Sequence, residues 1–68
     1  MERMRFGLRL ALAREKRHLT QEELSKRSGV SRVTINRIET GKSDGVRSET
    51  LVKLAKALNV SPNYFLCV

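Results

Sequence analysis

The sequence has few of the residues on which small catalytic and metal-binding proteins depend. Its 68 residues include one cysteine, Cys67, one histidine, His18, and no tryptophan. A single cysteine excludes an internal disulfide, and one cysteine with one histidine is too few for a zinc site. There is no nucleophile–base pair and no glycine-rich phosphate loop. We therefore expect a protein that is not an enzyme and that has no metal, no cofactor and no evident small-molecule ligand.

Aromatic residues and long apolar runs are also scarce. The three aromatic residues, Phe6, Tyr64 and Phe65, are too few for a protein that binds single-stranded nucleic acid by stacking bases on exposed rings. No stretch approaches the roughly 20 apolar residues that span a membrane. The charged N-terminal residues do not resemble a signal peptide. The sequence thus predicts a cytoplasmic protein with no membrane partner.

Positive charge, in contrast, is abundant. Fourteen lysines and arginines against seven acidic residues give a net charge of +7 and a pI near 10.6. This excess indicates a polyanionic partner, and nucleic acid before any other; a charged surface that only keeps the protein soluble is the alternative. With 40% apolar residues, the chain can form the core of one small domain over residues 1–68.

The segment TQEELSKRSGVSRVTINRIETG, residues 20–41, carries the start and stop signals of two short helices. Thr20 and Glu23 form the pattern of a capping box, and Gly29 tolerates the positive φ at which a helix ends abruptly. Ser31 caps a second helix, which Gly41 stops. Two helices joined by a three-residue turn are the geometry that presents one helix to the major groove of DNA.

Helical periodicity continues on both sides of this segment. We expect helices over about residues 4–17, 21–28, 32–40, 49–58 and 62–66, with His18 and Asn59 in left-handed conformations at two of the helix ends. In the first helix, Leu8 and Leu12 are expected to widen an apolar stripe formed by Phe6, Leu10, Ala13 and Arg17. No stretch has the alternation of a strand. The predicted fold is all-α, a compact bundle of five helices.

The last part of the chain differs from the rest, because residues 57–68 carry no charge. Two interpretations fit this segment. It covers the base of the first helix, or it forms a contact between subunits. We expect both, with Tyr64 or Asn63 facing outward.

Four motifs together resemble the Cro and phage-repressor type of helix-turn-helix regulator, the XRE-like family. They are LTQEEL at 19–24, the turn GVS at 29–31, IETG at 38–41 and TLVKLAKALNVS at 50–61. The resemblance covers about residues 6–66 and departs from the family at His18, Ser25 and Ser28, and in a slightly longer loop after residue 41. It implies the five-helix fold, transcriptional regulation, and binding of a palindromic operator in double-stranded DNA as a homodimer, associated with the nucleoid when bound.

The turn places the N-terminal residues of the third helix nearest the bases. An arginine donates two hydrogen bonds to guanine, an asparagine pairs with adenine, and a valine offers methyl surface to thymine. The alternative is that these side chains merely solvate an exposed helix. The candidate base contacts are Ser31, Arg32, Val33, Asn36 and Arg37.

Further contacts are implied by the resemblance. Gln21, at the start of the second helix, is expected to contact a phosphate and to brace Arg32. Arg14 and Glu39 are expected to form a structural ion pair between the first helix and the end of the third. The candidate phosphate contacts are Gln21, Thr34, Thr40, Lys42, Ser43 and Arg47, and the candidate dimer contacts are Pro62, Asn63 and Tyr64.

Two other functions are compatible with this fold. One is an adaptor or antitoxin-like module that binds another protein, and the other is the DNA-binding half of a longer sensor. A titration with operator-length DNA distinguishes an adaptor, which should bind DNA weakly or not at all.

Overall fold

The computed structural model describes residues 2–43 and 45–66, so Asp44 in the loop after residue 41 and the thiol of Cys67 lie outside the described residues. Within those ranges the chain forms five helices and no strand, which confirms the all-α prediction. The second helix has the predicted bounds, and the others differ from prediction by one or two residues. The helices are α1 (Glu2–Lys16), α2 (Gln21–Ser28), α3 (Arg32–Glu39), α4 (Ser48–Leu58) and α5 (Asn63–Leu66).

The predicted capping signals are present at the ends of the helices. The Thr20 hydroxyl accepts a hydrogen bond from the Glu23 N–H at 3.0 Å, and the Glu23 carboxylate accepts one from the Thr20 N–H at 2.8 Å. This pair satisfies two donors that the start of α2 would otherwise leave free. Gly29 (φ 77°), His18 (φ 57°) and Asn59 (φ 55°) are all left-handed, as expected for abrupt helix ends.

The core lies between the helices and receives side chains from all five. Burying each large apolar side chain contributes roughly 1.5–3 kcal/mol before the cost of ordering the chain is subtracted. Leu10, Leu24, Ile35, Leu54, Leu58 and Phe65 are the largest fully buried side chains, with Ala13, Leu19, Val30, Ile38 and Ala55 also buried.

The apolar stripe of α1 is narrower than predicted. Leu8 is 60% exposed and Leu12 is 48% exposed, so both expectations are wrong. Leu8 and Leu12 are each two residues from Leu10, and residues two apart on a helix point to different sides. The core lies on the side of Leu10 and Ala13. Arg17 is exposed as well, and its guanidinium donates to the Asn59 carbonyl at 3.5 Å.

At Gly7 the backbone of α1 packs closely against the end of α3. A Cβ atom added to Gly7 would overlap the carbonyl oxygen of Ile38 in α3. The absence of a side chain therefore lets the two backbones approach each other directly, which sets the depth at which α3 is held against α1.

The C-terminal helix covers the base of α1, as the first interpretation of the neutral segment predicts. The ring of Phe65 stacks on Phe6, with centroids 5.1 Å apart. The guanidinium of Arg9 lies 5.1 Å from the ring centroid of Tyr64 and donates to the Tyr64 carbonyl at 3.1 Å. None of the helices in the described ranges is both long and apolar enough to cross a membrane.

Candidate nucleic-acid interface

Short hydrogen bonds hold the turn between α2 and α3. The Gly29 N–H donates to the Ser25 carbonyl at 2.9 Å and ends α2. The Ser28 hydroxyl then accepts from the Val30 N–H, and the Ser31 hydroxyl accepts from the Val33 N–H, both at 3.1 Å. Because backbone and side-chain bonds alternate through the turn, the angle between the two helices is fixed locally.

The two faces of α3 have different surroundings. Ile35 and Ile38 are buried in the core. On the opposite side the side chains are exposed, and Val33 is 61% exposed even though it is apolar. The exposed face brings together four of the five candidate base contacts, Arg32, Val33, Asn36 and Arg37, while the fifth, Ser31, is exposed at the helix start and its hydroxyl is occupied by the cap.

Arg14 and Glu39 form a bidentate ion pair between α1 and the end of α3. Arg14 Nε lies 2.8 Å from Glu39 Oε2, and Arg14 Nη2 lies 3.0 Å from Glu39 Oε1. Only 14% of the Arg14 side chain and 7% of the Glu39 side chain are exposed. The hydrogen bonds to the Glu39 carboxylate raise the pKa of Arg14 above its ordinary value, despite partial desolvation. Arg14 also donates to the Leu19 carbonyl at 2.7 Å, so one side chain joins three segments.

Gln21 continues this network toward the exposed face of α3. Its Nε2 donates to Glu39 Oε1 at 3.0 Å, and its Oε1 accepts from Asn36 Nδ2 at 3.3 Å. The resemblance implies that Gln21 braces Arg32, whereas the structure places the hydrogen bond on Asn36. Gln21 is therefore bonded to α3, but at a different position from the one expected.

The candidate phosphate contacts surround α3. Lys42 and Arg47 are exposed in the segment between α3 and α4, and Thr34 is half-exposed on α3 itself. The Thr40 hydroxyl donates to the Asn36 carbonyl at 2.8 Å, and the Ser43 hydroxyl donates to the Gly45 carbonyl at 2.6 Å. Both hydroxyls thus already have a partner within the chain. The exposed charged groups of Lys42 and Arg47 are more available to a phosphate than these hydroxyls are.

The remaining candidate residues lie on the C-terminal helix and the turn before it. Pro62 and Asn63 are exposed, and Tyr64 is half-buried beside Arg9. Among the residues that the structure describes, no three His, Cys, Asp or Glu side chains are grouped so that they could hold a metal ion.

Sequence reasoning missed one residue and one contact with a bearing on the site. The residue is Gly7, and the signal for it was an isolated glycine within the helical pattern of α1, which can mark a position of close packing. The bond between Gln21 and Asn36 had no sequence signal, because it depends on how α2 and α3 cross.

The arrangement of α2, the turn and α3, with one polar face left exposed, defines a helix-turn-helix domain. A family model described as helix-turn-helix matches residues 10–65, and the chain belongs to this family. The matched relatives are transcriptional regulators rather than enzymes.

Three comparisons illustrate the relationship. The chain is 46% identical over 55 residues to the HTH-type transcriptional repressor RghR of Bacillus subtilis, covering 81% of this chain and 41% of that protein. The chain therefore spans about two fifths of that relative. The restriction-modification controller protein C.AhdI of Aeromonas hydrophila superposes with a TM-score of 0.88 at 33% identity, covering 93% of this chain and 94% of C.AhdI. The DNA-binding domain of the P22 c2 repressor gives a TM-score of 0.82 at 38% identity, covering 90% and 79% of the two chains.

Proposed function

We propose that this protein is a sequence-specific transcriptional regulator that binds a palindromic operator in double-stranded DNA as a homodimer. In this proposal α3 lies in the major groove, and its exposed face reads the bases. The cations Lys42 and Arg47 hold backbone phosphates and fix the register of the protein on the duplex. The protein acts in the cytoplasm and is associated with the nucleoid when it is bound.

The exposed face of α3 carries this proposal. Two arginines, one asparagine and one exposed valine lie on the same side of a helix whose opposite side is anchored in the core. These side chains match the donor, acceptor and methyl groups that the major groove presents. An exposed valine is of little use to folding, whereas it provides a surface for a thymine methyl group. The net charge of +7 supplies the attraction to the polyanion.

The size of the domain supports binding as a dimer. An eight-residue α3 is only about 12 Å long, so one copy contacts few base pairs. Recognition helices of a dimer are about 34 Å apart, one turn of the duplex. The domain measures 27 × 22 × 21 Å, so two copies side by side extend over more than this distance, which is compatible with the proposed dimer. The exposed Pro62 and Asn63, with Tyr64, are the proposed contact between them.

The test is a binding titration with an operator selected from a random DNA pool. A second duplex has about five base pairs inserted at the operator centre, which turns one half-site to the opposite side of the helix. We expect this insertion to remove most of the affinity. Equal binding to the inserted duplex, or to an isolated half-site, contradicts the dimeric model.

The same titration separates this proposal from an adaptor that binds protein. A dimer that neutralises about 6–10 phosphates loses roughly 10³–10⁵ in affinity between 50 and 200 mM salt. An adaptor enriches no DNA sequence and shows no such dependence.

A further inference from the structure

Two exposed leucines on α1 are not accounted for by the fold. Leu8 is 60% exposed and Leu12 is 48% exposed, although both are large apolar side chains. Residues three and four apart on a helix are neighbours on its surface, so the two leucines form one patch with the half-buried Ala11. We call Leu8, Ala11 and Leu12 the leucine face. A single exposed apolar residue needs no explanation, whereas adjoining leucines on one face indicate a surface for a partner.

The leucine face lies between the parts of α1 that contact α3 and α5. Gly7 packs against the end of α3, and Arg9 lies against Tyr64 of α5. Successive residues of an α-helix are rotated by about 100°, so Leu8 points away from both of these contacts. The proposed base contacts lie on the exposed face of α3, so base reading does not use these leucines.

The contact proposed between two copies of the chain is too small by itself. Pro62 and Asn63 are exposed, but Tyr64 is half-buried beside Arg9. Stable interfaces bury about 800 Å² on each partner and contain roughly 20–30 residues a side. Three residues cannot supply this area. A stable dimer therefore needs further surface next to them.

The leucine face is continuous with that proposed contact. The Arg9 guanidinium lies 5.1 Å from the ring centroid of Tyr64, and Arg9 is three residues before Leu12, so Arg9 and Leu12 are neighbours on α1. On the path from Tyr64 over Arg9 to the two leucines, Arg9 is the one charged residue, and its charge is stacked on the ring. Two copies with a net charge of +7 each repel one another. A largely neutral surface of this kind is where they can approach most closely.

We infer that the leucine face packs against a second copy of this chain, and that it forms the dimer interface together with Pro62, Asn63 and Tyr64. This inference rests on the homodimer of the proposed function and identifies the surface that holds the two copies together. In a two-fold symmetric dimer the same patch is used on both copies, so the interface receives two leucines from each. These four leucines supply the apolar centre that interfaces between identical chains have.

The experiment compares the intact chain with a double variant, Leu8→Gln with Leu12→Gln, in which polar side chains of similar size replace both leucines. Val52→Gln is the matched control, because Val52 is 48% exposed, as Leu12 is, but lies on α4. Analytical ultracentrifugation measures the dimerisation of each chain without DNA. Titrations on the selected operator and on an isolated half-site measure how much affinity the second half-site adds.

We expect the double variant to raise the dimer dissociation constant by roughly 10²–10⁴-fold, about three- to tenfold for each of the four leucines removed from the interface. The advantage of the operator over the half-site should fall by at least about tenfold, since it depends on the same contact. Affinity for the isolated half-site should stay within about twofold, because the changes are on the surface and α3 is unaltered. This last result also shows that the double variant is folded. Val52→Gln should leave all three quantities within about twofold.

Two results overturn the inference while the proposed dimer survives. If the double variant dimerises and binds the operator as the intact chain does, the leucine face does not lie between two copies and is left to a different partner. If the double variant loses as much affinity for the half-site as for the operator, the leucines support the fold rather than the dimer. An intact chain that is monomeric and gains no affinity from the second half-site refutes the dimer of the proposed function itself, which is a distinguishable outcome.

Discussion

The inward and outward faces of α3 are parts of the same eight-residue helix, yet they differ in almost every physical respect. The inward face has Ile35 and Ile38 in the core and Glu39 in a nearly buried ion pair. On the outward face, the guanidinium groups of Arg32 and Arg37 have no partner among the described residues, and the Asn36 amide donates to Gln21. Residues on the inward face should therefore determine folding and the placement of α3, and those on the outward face should determine binding. Substitutions on each face test this division.

The largest effect is expected at Glu39. Glu39→Ala leaves the guanidinium of Arg14 largely buried without its carboxylate, and removes the acceptor for Gln21 as well. Removing one partner of a buried pair costs roughly 3–5 kcal/mol, and partial exposure places the expected loss toward the lower figure. Urea unfolding measures it. The control is Glu22→Ala, whose exposed pair with Lys26 should contribute no more than about 0.5 kcal/mol. Equal losses for the two variants would contradict the inward assignment.

Gly7 tests whether the position of α3 depends on its direct contact with α1. Gly7→Ala introduces a Cβ that overlaps the backbone carbonyl of Ile38, so one helix must move. We expect a loss of about 1–3 kcal/mol in the free energy of unfolding and weaker DNA binding by the folded protein. Gly45→Ala is the matched control, because an added Cβ there meets nothing within 4 Å. A Gly7→Ala variant as stable as the unaltered chain would show that the crossing has room to adjust.

Arg32 tests the outward face. Arg32→Ala should leave the free energy of unfolding within about 0.5 kcal/mol, since Arg32 is exposed. On the operator it should cost about 1–3 kcal/mol of binding and relax the preference at one base pair per half-site. Titrations on operator and scrambled duplexes measure both effects. Lys42→Ala is the comparison, because a phosphate contact weakens both duplexes alike and lowers the salt slope by about one. If Arg32→Ala also loses equally on both, Arg32 contacts phosphate.

The smallest effect is expected from a region outside both faces, the capped start of α2. Two hydrogen bonds lower the pKa of Glu23. The bond from the Thr20 N–H has the larger effect, and a bond with the Thr20 side chain has the smaller one. Because the pKa of Glu23 is lower in the folded state, its carboxylate stabilises the fold at pH values above the unfolded-state pKa. This stabilisation is lost as the pH falls through the folded-state pKa. The stability difference between the unaltered chain and Glu23→Gln should therefore shrink on acidification. Urea unfolding at several pH values measures it, and a difference that grows toward acid would contradict the cap.

The helix-turn-helix was predictable because its signals are local. Thr20 reaches Glu23 within one turn, and Gly29 acts through its own φ, so neither depends on the rest of the fold. The side of α1 that faces the core was less predictable. Its sequence offers leucines in several directions, and the packing of α3 and α5 decides that Leu10 is buried while Leu8 is exposed. Tertiary packing overrides a local pattern wherever the pattern is ambiguous.

The candidate site also has features that the local sequence predicts and one that depends on tertiary packing. Arg32 and Val33 follow from their position in the first turn after the cap, and their exposure agrees with it. The link from Gln21 to Asn36 joins residues fifteen positions apart, at 3.3 Å, across two helices. Inserting or deleting one residue in the turn would rotate α3 and break that link, although the helix propensities of α2 and α3 would stay the same. Such contacts require the crossing geometry and cannot be read from spacing alone.

The turn between α2 and α3 also has a mechanical consequence. Gly29 sets its direction, and the Ser28 and Ser31 hydroxyls occupy the N–H groups of Val30 and Val33. A turn closed in this way gives α3 little freedom to rotate relative to α2, so in the proposed complex α3 cannot readily adjust to an imperfectly spaced groove. If the curvature of the DNA does not match the spacing of the two helices, the duplex must bend. The energy of that bending depends on how flexible its base-pair steps are. We expect operators with flexible pyrimidine–purine steps between the half-sites to bind more tightly than operators with stiff steps there.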